Sequence, residues 1–352
     1  MNGITAVDLF CGAGGLTRGL LDAGIEVKKG FDINSKFKET YEKNNPGVSF
    51  RSKDVSCLTA EDILEGIDLK NNFFLLAGCA PCQPFSRINK QDLEEDSRIS
   101  LLLEFGRLVE QTKPDFIFIE NVPGLATGKG KKIFEKFKEK LDSIDYNYDY
   151  KIVDAKNYGV PQKRKRLILL ASAQGPIIFP EETHGKSKYL IPYVKVREVI
   201  SRYPILRNGS RHKKIPNHET RKLSEKNQKR LSLIRKNGGS RKELPEILKL
   251  NCHTNHKGHT DVYGRMKWDD VAPTLTCKCT SISNGRFGHP TQRRGISVRE
   301  AAALQTFPDN YVFYGALTFN SVMVGNAVPP LLAKKMGEVF LKNLGGLNGG
   351  RK

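Results

Sequence analysis

The segment DLFCGAGG, Asp8 to Gly15, sets a glycine-rich turn between an apolar, strand-like run, Ile4 to Phe10, and a stretch of helical spacing, Leu16 to Ala23. Gly12, Gly14 and Gly15 carry no side chains, so a ligand can approach the main chain, and the N-terminus of the following helix offers unpaired N–H groups. Strand, turn and helix in that order commit this part of the chain to an α/β architecture, and the pattern recurs. Further strand candidates are Val27 to Phe31, Phe73 to Ala77, Phe116 to Ile119, Tyr148 to Val153 and Leu167 to Ala171. Helical spacing marks Ser35 to Asn44, Ile99 to Gln111 and Lys132 to Ile144. The expected fold is a doubly wound α/β domain built on a parallel sheet, with its ligand crevice at the carboxyl ends of the strands.

Asp32 ends the second strand candidate, 20 residues after Gly12, a spacing suited to a carboxylate that accepts both hydroxyls of a ribose. The offsets of Gly12, Gly14 and Gly15 do not match the dinucleotide fingerprint, so a single adenosine ligand fits better than a pyrophosphate. Asp54, in the segment KDV, is a candidate acceptor for an adenine amino group, beside the plainer reading of a turn aspartate.

Charge divides the 352 residues unevenly. Lys plus Arg number 58 and Asp plus Glu 38, a net of +20; between Gly185 and Pro290 the counts are 24 and 8, which leaves 34 and 30 elsewhere. A block carrying +16 favours a polyanion, nucleic acid first, because each cation set on a phosphate releases counterions. Periodicity weakens after Gln174 while Pro and Gly recur, so a second, irregular domain is expected over 175–294. The first domain, 1–174, would be completed by 295–345, with Leu331 to Leu344 as a closing helix and 346–352 as a frayed tail. No apolar run reaches the roughly 18 residues of a bilayer span, and the chain opens on a strand rather than a leader, so a cytoplasmic protein is expected. The 7 cysteines suit free thiols in a reducing compartment.

One of those thiols sits in GCAPCQPFS, Gly78 to Ser86, directly after the strand FFLLA. Pro81 and Pro84 flank Cys82 and shape the loop that presents it. Cys79 and Cys82 form a C-x-x-C, but no second such pair completes a zinc site, and no metal is expected. Cys252, His253, His256 and His259 read as residues of a basic loop rather than as ligands. ENVPG follows the strand FIFI, which sets Glu120 at another carboxyl end, where an acid can deliver a proton to a ring nitrogen. In QKRKR, Gln162 to Arg166, alternation along an extended segment puts Arg164 and Arg166 on one face, suited to a phosphate or a pyrimidine carbonyl.

Taken together, DLFCGAGG, FDIN, KDV, GCAPCQPFS, ENVPG, QKRKR, RGISVREAAALQTFPD and VGNAVPP occur in the order found in DNA (cytosine-5)-methyltransferases of the bacterial restriction-modification type. The chain resembles that family from Asp8 to Pro330. The resemblance implies a class I S-adenosylmethionine-dependent methyltransferase domain with a target recognition domain inserted before the C-terminal helix. It implies that Cys82 attacks C6 of a flipped cytosine, that Glu120 engages the N3 and amino edge, and that Arg164 and Arg166 hold the nucleotide. For S-adenosyl-L-methionine it implies contacts from Phe10, Ala13, Gly15, Asp32, Ile33, Asp54, Val55, Pro81, Leu101, Asn326 and Val328. The family commonly has Glu-Trp where this chain has Asp32-Ile33. Expected DNA contacts are Ser86, Arg98, Gln162, Arg265, Lys278 and Arg286, with the basic block, including APTLTC and SNGRFGHP, entering the major groove. The implied partner is double-stranded DNA, met by a monomeric enzyme paired in function with a restriction endonuclease. Rival readings are a tRNA cytosine-5 methyltransferase, an inert DNA-binding regulator of the same fold and a nicotinamide oxidoreductase.

Overall fold

The computed structural model describes residues 3–81, 101–128, 130–250 and 261–349, with side chains to 344. These fall into two compact units: residues 1–154, 165–182 and 328–352 form the first, and 155–164 with 183–327 form the second.

The first unit is built on strands β1 (Ile4–Leu9), β2 (Glu26–Asp32), β3 (Ser49–Ser52), β4 (Phe73–Gly78), β5 (Phe116–Asn121), β6 (Asn147–Asp154) and β7 (Lys165–Ser172), in the order β3-β2-β1-β4-β5-β7-β6. The strands from β3 across to β5 pair in parallel, whereas β7 runs antiparallel to both β5 and β6. The expectation of a wholly parallel sheet is corrected there. Too few residues separate Asp154 from Lys165 for a crossover helix, so the chain reverses and pairs back antiparallel. The short β3, with only Phe50 buried, was too polar to stand out as a strand.

Helices α1 (Gly15–Ala23), α2 (Lys38–Asn44), α3 (Ala60–Leu64), α4 (Leu101–Thr112), α5 (Gly124–Thr127) and α6 (Lys131–Ser143) follow the strands in turn. Every residue of β1 and β5 is buried, as strands covered on both faces require. Alternate side chains of β5 go to opposite layers. Ile117 and Ile119 join a core with Leu102, Phe105 and Leu108 of α4 and Phe134 and Phe137 of α6. Phe116 and Phe118 instead face Phe340, at ring-centroid distances of 5.3 and 6.4 Å. Each such ring removed from water contributes about 1.5–3 kcal/mol.

The second unit has little regular structure. Its helices are α7 (Val196–Ile200), α8 (Glu225–Leu233), α9 (Val298–Leu304) and α10 (Leu317–Asn326), joined by turns and isolated bridges such as Gln162 with Ala272. A small apolar cluster of Leu223, Leu231, Ile234, Leu244, Tyr263 and Ile282 lies within it. Residues 295–327 belong to this unit, and not to the first as expected. Arg294 is paired with Glu300 inside α9 at 2.7 Å, the His218 imidazole meets the Ser297 hydroxyl at 3.0 Å, and the Arg299 amide donates to Asn217.

Helix α11 (Pro330–Gly349) returns to the first unit and packs along α1. Its backbone stays helical through 349, beyond the expected start of the tail. A Cβ at Gly19 of α1 would lie 2.4 Å from Ala333 Cβ and from the Pro330 carbonyl, so only glycine allows the two helices to meet there. Among the described residues, no helix is long and apolar enough to cross a membrane.

Candidate active site

The loop after β1 turns through left-handed backbone at Phe10, Gly12 and Gly14, with φ of 59°, 51° and 83°. An L side chain at either glycine would be strained, while the space where a Gly12 Cβ would stand is open. Gly14 enters α1 without a side-chain cap, so no N-cap side chain satisfies the first-turn N–H groups of that helix. The Gly12 amide donates to Asp32 Oδ2 at 3.0 Å and the Asn34 amide to Oδ1 at 2.9 Å. The spacing of 20 residues is therefore a physical contact: the carboxylate at the end of β2 braces the turn. Burial raises the Asp32 carboxyl above its usual range, partly opposed by these two amides.

The Lys53 amide donates to the Asp32 carbonyl at 3.2 Å, which brings the next loop alongside. Asp54 is half-buried and accepts from the Ser56 amide at 3.0 Å. Ile33 is 69% exposed and Ala13 is buried. The Val55 side chain is buried in an apolar cluster with Phe31, Leu58 and Leu102. Pro81 and Leu101 are half-buried, Gly15 and Val328 are buried, and Asn326 ends α10 exposed to solvent.

The structure adds a group beneath the turn that sequence reasoning passed over. Asp8 is wholly buried, and Thr17 donates to its Oδ2 at 2.7 Å while sharing a 2.7 Å hydrogen bond with the Tyr41 hydroxyl. Burial pushes the Asp8 carboxyl up to about 7. Its only signal in the sequence is an acid inside a mostly apolar strand.

Glu120 lies at the carboxyl end of β5, only 2% exposed. Arg166 Nε, on β7, stands 2.9 Å from its Oε1, and the Cys79 thiol donates to its Oε2 at 2.9 Å. Register explains the meeting: Glu120 pairs with Ile168, two residues on from Arg166, while Cys79 follows Gly78, the last residue of β4. The Asn121 amide nitrogen donates to the Ala80 carbonyl at 3.1 Å, a second tie between the two strand ends. Cys82, Ser86 and Arg98 lie outside the described residues, as do Cys252, His253, His256 and His259.

Arg164 does not share a face with Arg166. It precedes β7 and belongs to the second unit, where its guanidinium donates to the carbonyls of Leu275, Gly325 and Ala327 at 3.0 to 3.4 Å. At 2% exposure it is a main-chain clamp, which corrects the expectation that it holds a nucleotide. Two expected DNA contacts, Gln162 and Arg265, are corrected on the same ground. Gln162 is wholly buried, accepting from the Leu275 amide and donating to Gln305. Arg265 donates to the carbonyls of Leu231, Ile234, His289 and Gln292, and burial lowers it to about 10. Arg286 is bonded to Asp261 and to the carbonyls of Gly238, Gly239 and Arg265 but stays partly exposed. Lys278 is exposed.

Comparison with known proteins fits this geometry. The sequence profile of the C-5 cytosine-specific DNA methylases matches residues 4–342. The type II methylase M.HgiDII of Herpetosiphon aurantiacus is 38% identical over 97% of this chain and 96% of its own length. The type II methyltransferase M1.HphI of Haemophilus parahaemolyticus is 33% identical over 96% of this chain and 87% of its own. A crystal structure of a prophage-encoded E. coli chain, a candidate DNA modification methyltransferase, is similar with a TM-score of 0.75 at 24% identity, covering 97% of this chain and all of that one. The S. pombe Dnmt2 methyltransferase structure is similar with a TM-score of 0.63 at 20% identity, covering 98% of this chain and 99% of that one. The fold is thus that of class I S-adenosylmethionine-dependent methyltransferases, and the chain belongs to the family of C-5 cytosine-specific DNA methylases.

Proposed function

We propose that this protein methylates C5 of a cytosine within a specific double-stranded DNA sequence, using S-adenosyl-L-methionine and a covalent Cys82–C6 adduct. The observation that carries the reading is the paired Glu120 and Arg166 at the carboxyl end of the sheet, three residues of chain short of Cys82 through Cys79. Cytosine C5 is a weak nucleophile. Addition of the Cys82 thiolate at C6 pushes electrons toward C5, while Glu120 meets the N3 and amino edge and supports protonation at N3. Arg166 holds Glu120 in place and offers its remaining donors to the pyrimidine O2. Once C5 has taken the methyl group, loss of its proton expels Cys82 as the thiolate, N3 returns its proton, and the aromatic ring is restored. Since C6 is covered in stacked DNA, the target base must be flipped out, at roughly a few kcal/mol.

Two observations support a fit to S-adenosylmethionine: the open space over Gly12 and the braced Asp32 carboxylate beside it. Phe10, Ala13, Gly15, Asp32, Ile33, Asp54, Val55, Pro81, Leu101 and Val328 would hold it. When bound it supplies an electrophilic methyl group. Asp32 has lone pairs left for the ribose hydroxyls, and the exposed Ile33 offers an apolar surface to adenine in place of the family's tryptophan. The exposed Lys278, with Ser86 and Arg98, is assigned to DNA.

The proposal includes a cytoplasmic, monomeric enzyme that protects host DNA from a partner restriction endonuclease. A duplex carrying 5-fluorocytosine tests the chemistry, because the missing C5 proton blocks release. Mass spectrometry should find the adduct on Cys82; turnover with no adduct, or an adduct elsewhere, refutes the mechanism. Bisulfite sequencing of DNA from a host expressing the protein reads out the target sequence.

A further inference from the structure

We propose that Cys79 is a positioning residue for Glu120, its thiol fixing the rotation of the carboxylate that meets the pyrimidine. The inference rests on the role given to Glu120 above. A glutamate ends in a torsion with broad, two-fold preferences, and a single contact from Arg166 to Oε1 leaves the group able to pivot about that oxygen. The Cys79 contact to Oε2 removes this freedom. Water is a poor substitute at a carboxylate only 2% exposed.

Cys79 is itself well fixed. Its amide donates to the Leu9 carbonyl at 3.3 Å. A Cβ on the preceding Gly78 would stand 2.8 Å from that same carbonyl, so β4 and β1 approach as closely as they do only with glycine there. The Asn121 bond to Ala80 ties the residue after Cys79 to the residue after Glu120. Both ends of the thiol–carboxylate contact are thereby anchored to strands.

The choice of sulfur has a chemical consequence. A thiol is a weak donor, so it orients the carboxylate while stabilising its ionised form less than a hydroxyl would. That suits a group that must exchange a proton with N3. Serine at this position, also a donor, should keep the orientation.

The test is steady-state methylation of unmethylated bacteriophage DNA with tritiated S-adenosylmethionine by the full chain and its C79A, C79S, C79V and E120A variants. The expected result for C79A is a kcat about tenfold lower, the effect of one lost hydrogen bond to a charged group, with KM for DNA and cofactor within about twofold. C79S should recover most of that loss. Added to E120A, C79A should change kcat by less than about twofold, since the two act as one unit. Should alanine lower the melting temperature, C79V, apolar and closer in volume, takes its place against C79S. A C79A (or C79V) kcat near wild type beside a disabled E120A overturns this inference alone, as does a C79S no faster than C79A. An active E120A overturns the reading of Glu120 and this inference with it.

Discussion

The two units keep their backbones satisfied in different ways. In the first, sheet ladders do it, and apolar side chains fill both faces of β1 and β5. In the second, which has few ladders, arginine side chains do much of that work. Arg164, Arg265, Arg286 and Arg299 each donate to main-chain carbonyls, and Arg230 donates to that of Leu248. A guanidinium presents five donors in a fixed fork and stays charged, so it can close several turns at once where no strand is available. A basic composition is thus not the same as a basic surface. Of the excess positive charge between Gly185 and Pro290, Arg230 and Arg265 are buried inside the unit and Arg286 is paired with Asp261, whereas residues such as Lys278 are exposed.

The comparison is sharpest where chemistry is separated from scaffold. Cys82→Ser should lower turnover by at least about a thousandfold while leaving cofactor binding by calorimetry close to wild type. Comparable turnover would remove the nucleophile from this loop. Next in size, Arg265→Met keeps the alkyl stem and removes every donor, leaving buried carbonyls of the second unit unpaired. A loss of about 3–5 kcal/mol in denaturant unfolding is expected, with base preference unchanged below the transition. A stable variant with altered base preference would return Arg265 to the DNA interface.

The units should also respond to pH with opposite sign. Asp8 holds its proton more tightly folded than unfolded, so the first unit loses stability as pH rises from about 4 to 7. In the second unit, burial holds His289 down at about 3, and Glu300, although burial opposes its ionisation, is kept at about 2 by Arg294. The unfolded chain binds those protons first, so stability there falls as pH drops below about 6.5 and again below about 4.5. Hydrogen exchange followed separately for β1 and α9 between pH 4 and 7 should show the crossing slopes, and D8N should flatten the first. Parallel slopes would remove the contrast. The smallest effect is expected from Lys278→Ala: a few-fold weaker DNA binding, with the slope of log affinity against log salt reduced by about 0.9. An unchanged slope would take Lys278 off the phosphate backbone.

How much of this was legible in the sequence follows from the same contrast. Strands announced by unbroken apolar runs, such as FFLLA and FIFI, fell where expected, and the interval from Gly12 to Asp32 proved to be a hydrogen bond. Local patterns of this kind carry their own geometry. The alternation in QKRKR misled because β7 begins only at Lys165, so Arg164 follows a different backbone and turns into the second unit. Nothing local distinguishes an arginine destined for a phosphate from one destined for a carbonyl more than a hundred residues away, as Leu275 is from Arg164. Cys79 was visible as half of a C-x-x-C, but its partner, Glu120, depends on sheet order, which the spacing of cysteines does not encode.

The close seating of α11 against α1 at Gly19 has a bearing on how the protein is born. The face of α1 that carries Leu16 and Leu20 is made early in translation, yet its cover emerges only after residue 330, when the intervening second unit has already left the ribosome. A nascent chain stalled anywhere in that interval would hold a glycine turn without the helix that backs it. Methylation would then begin only with molecules whose synthesis had run past α11.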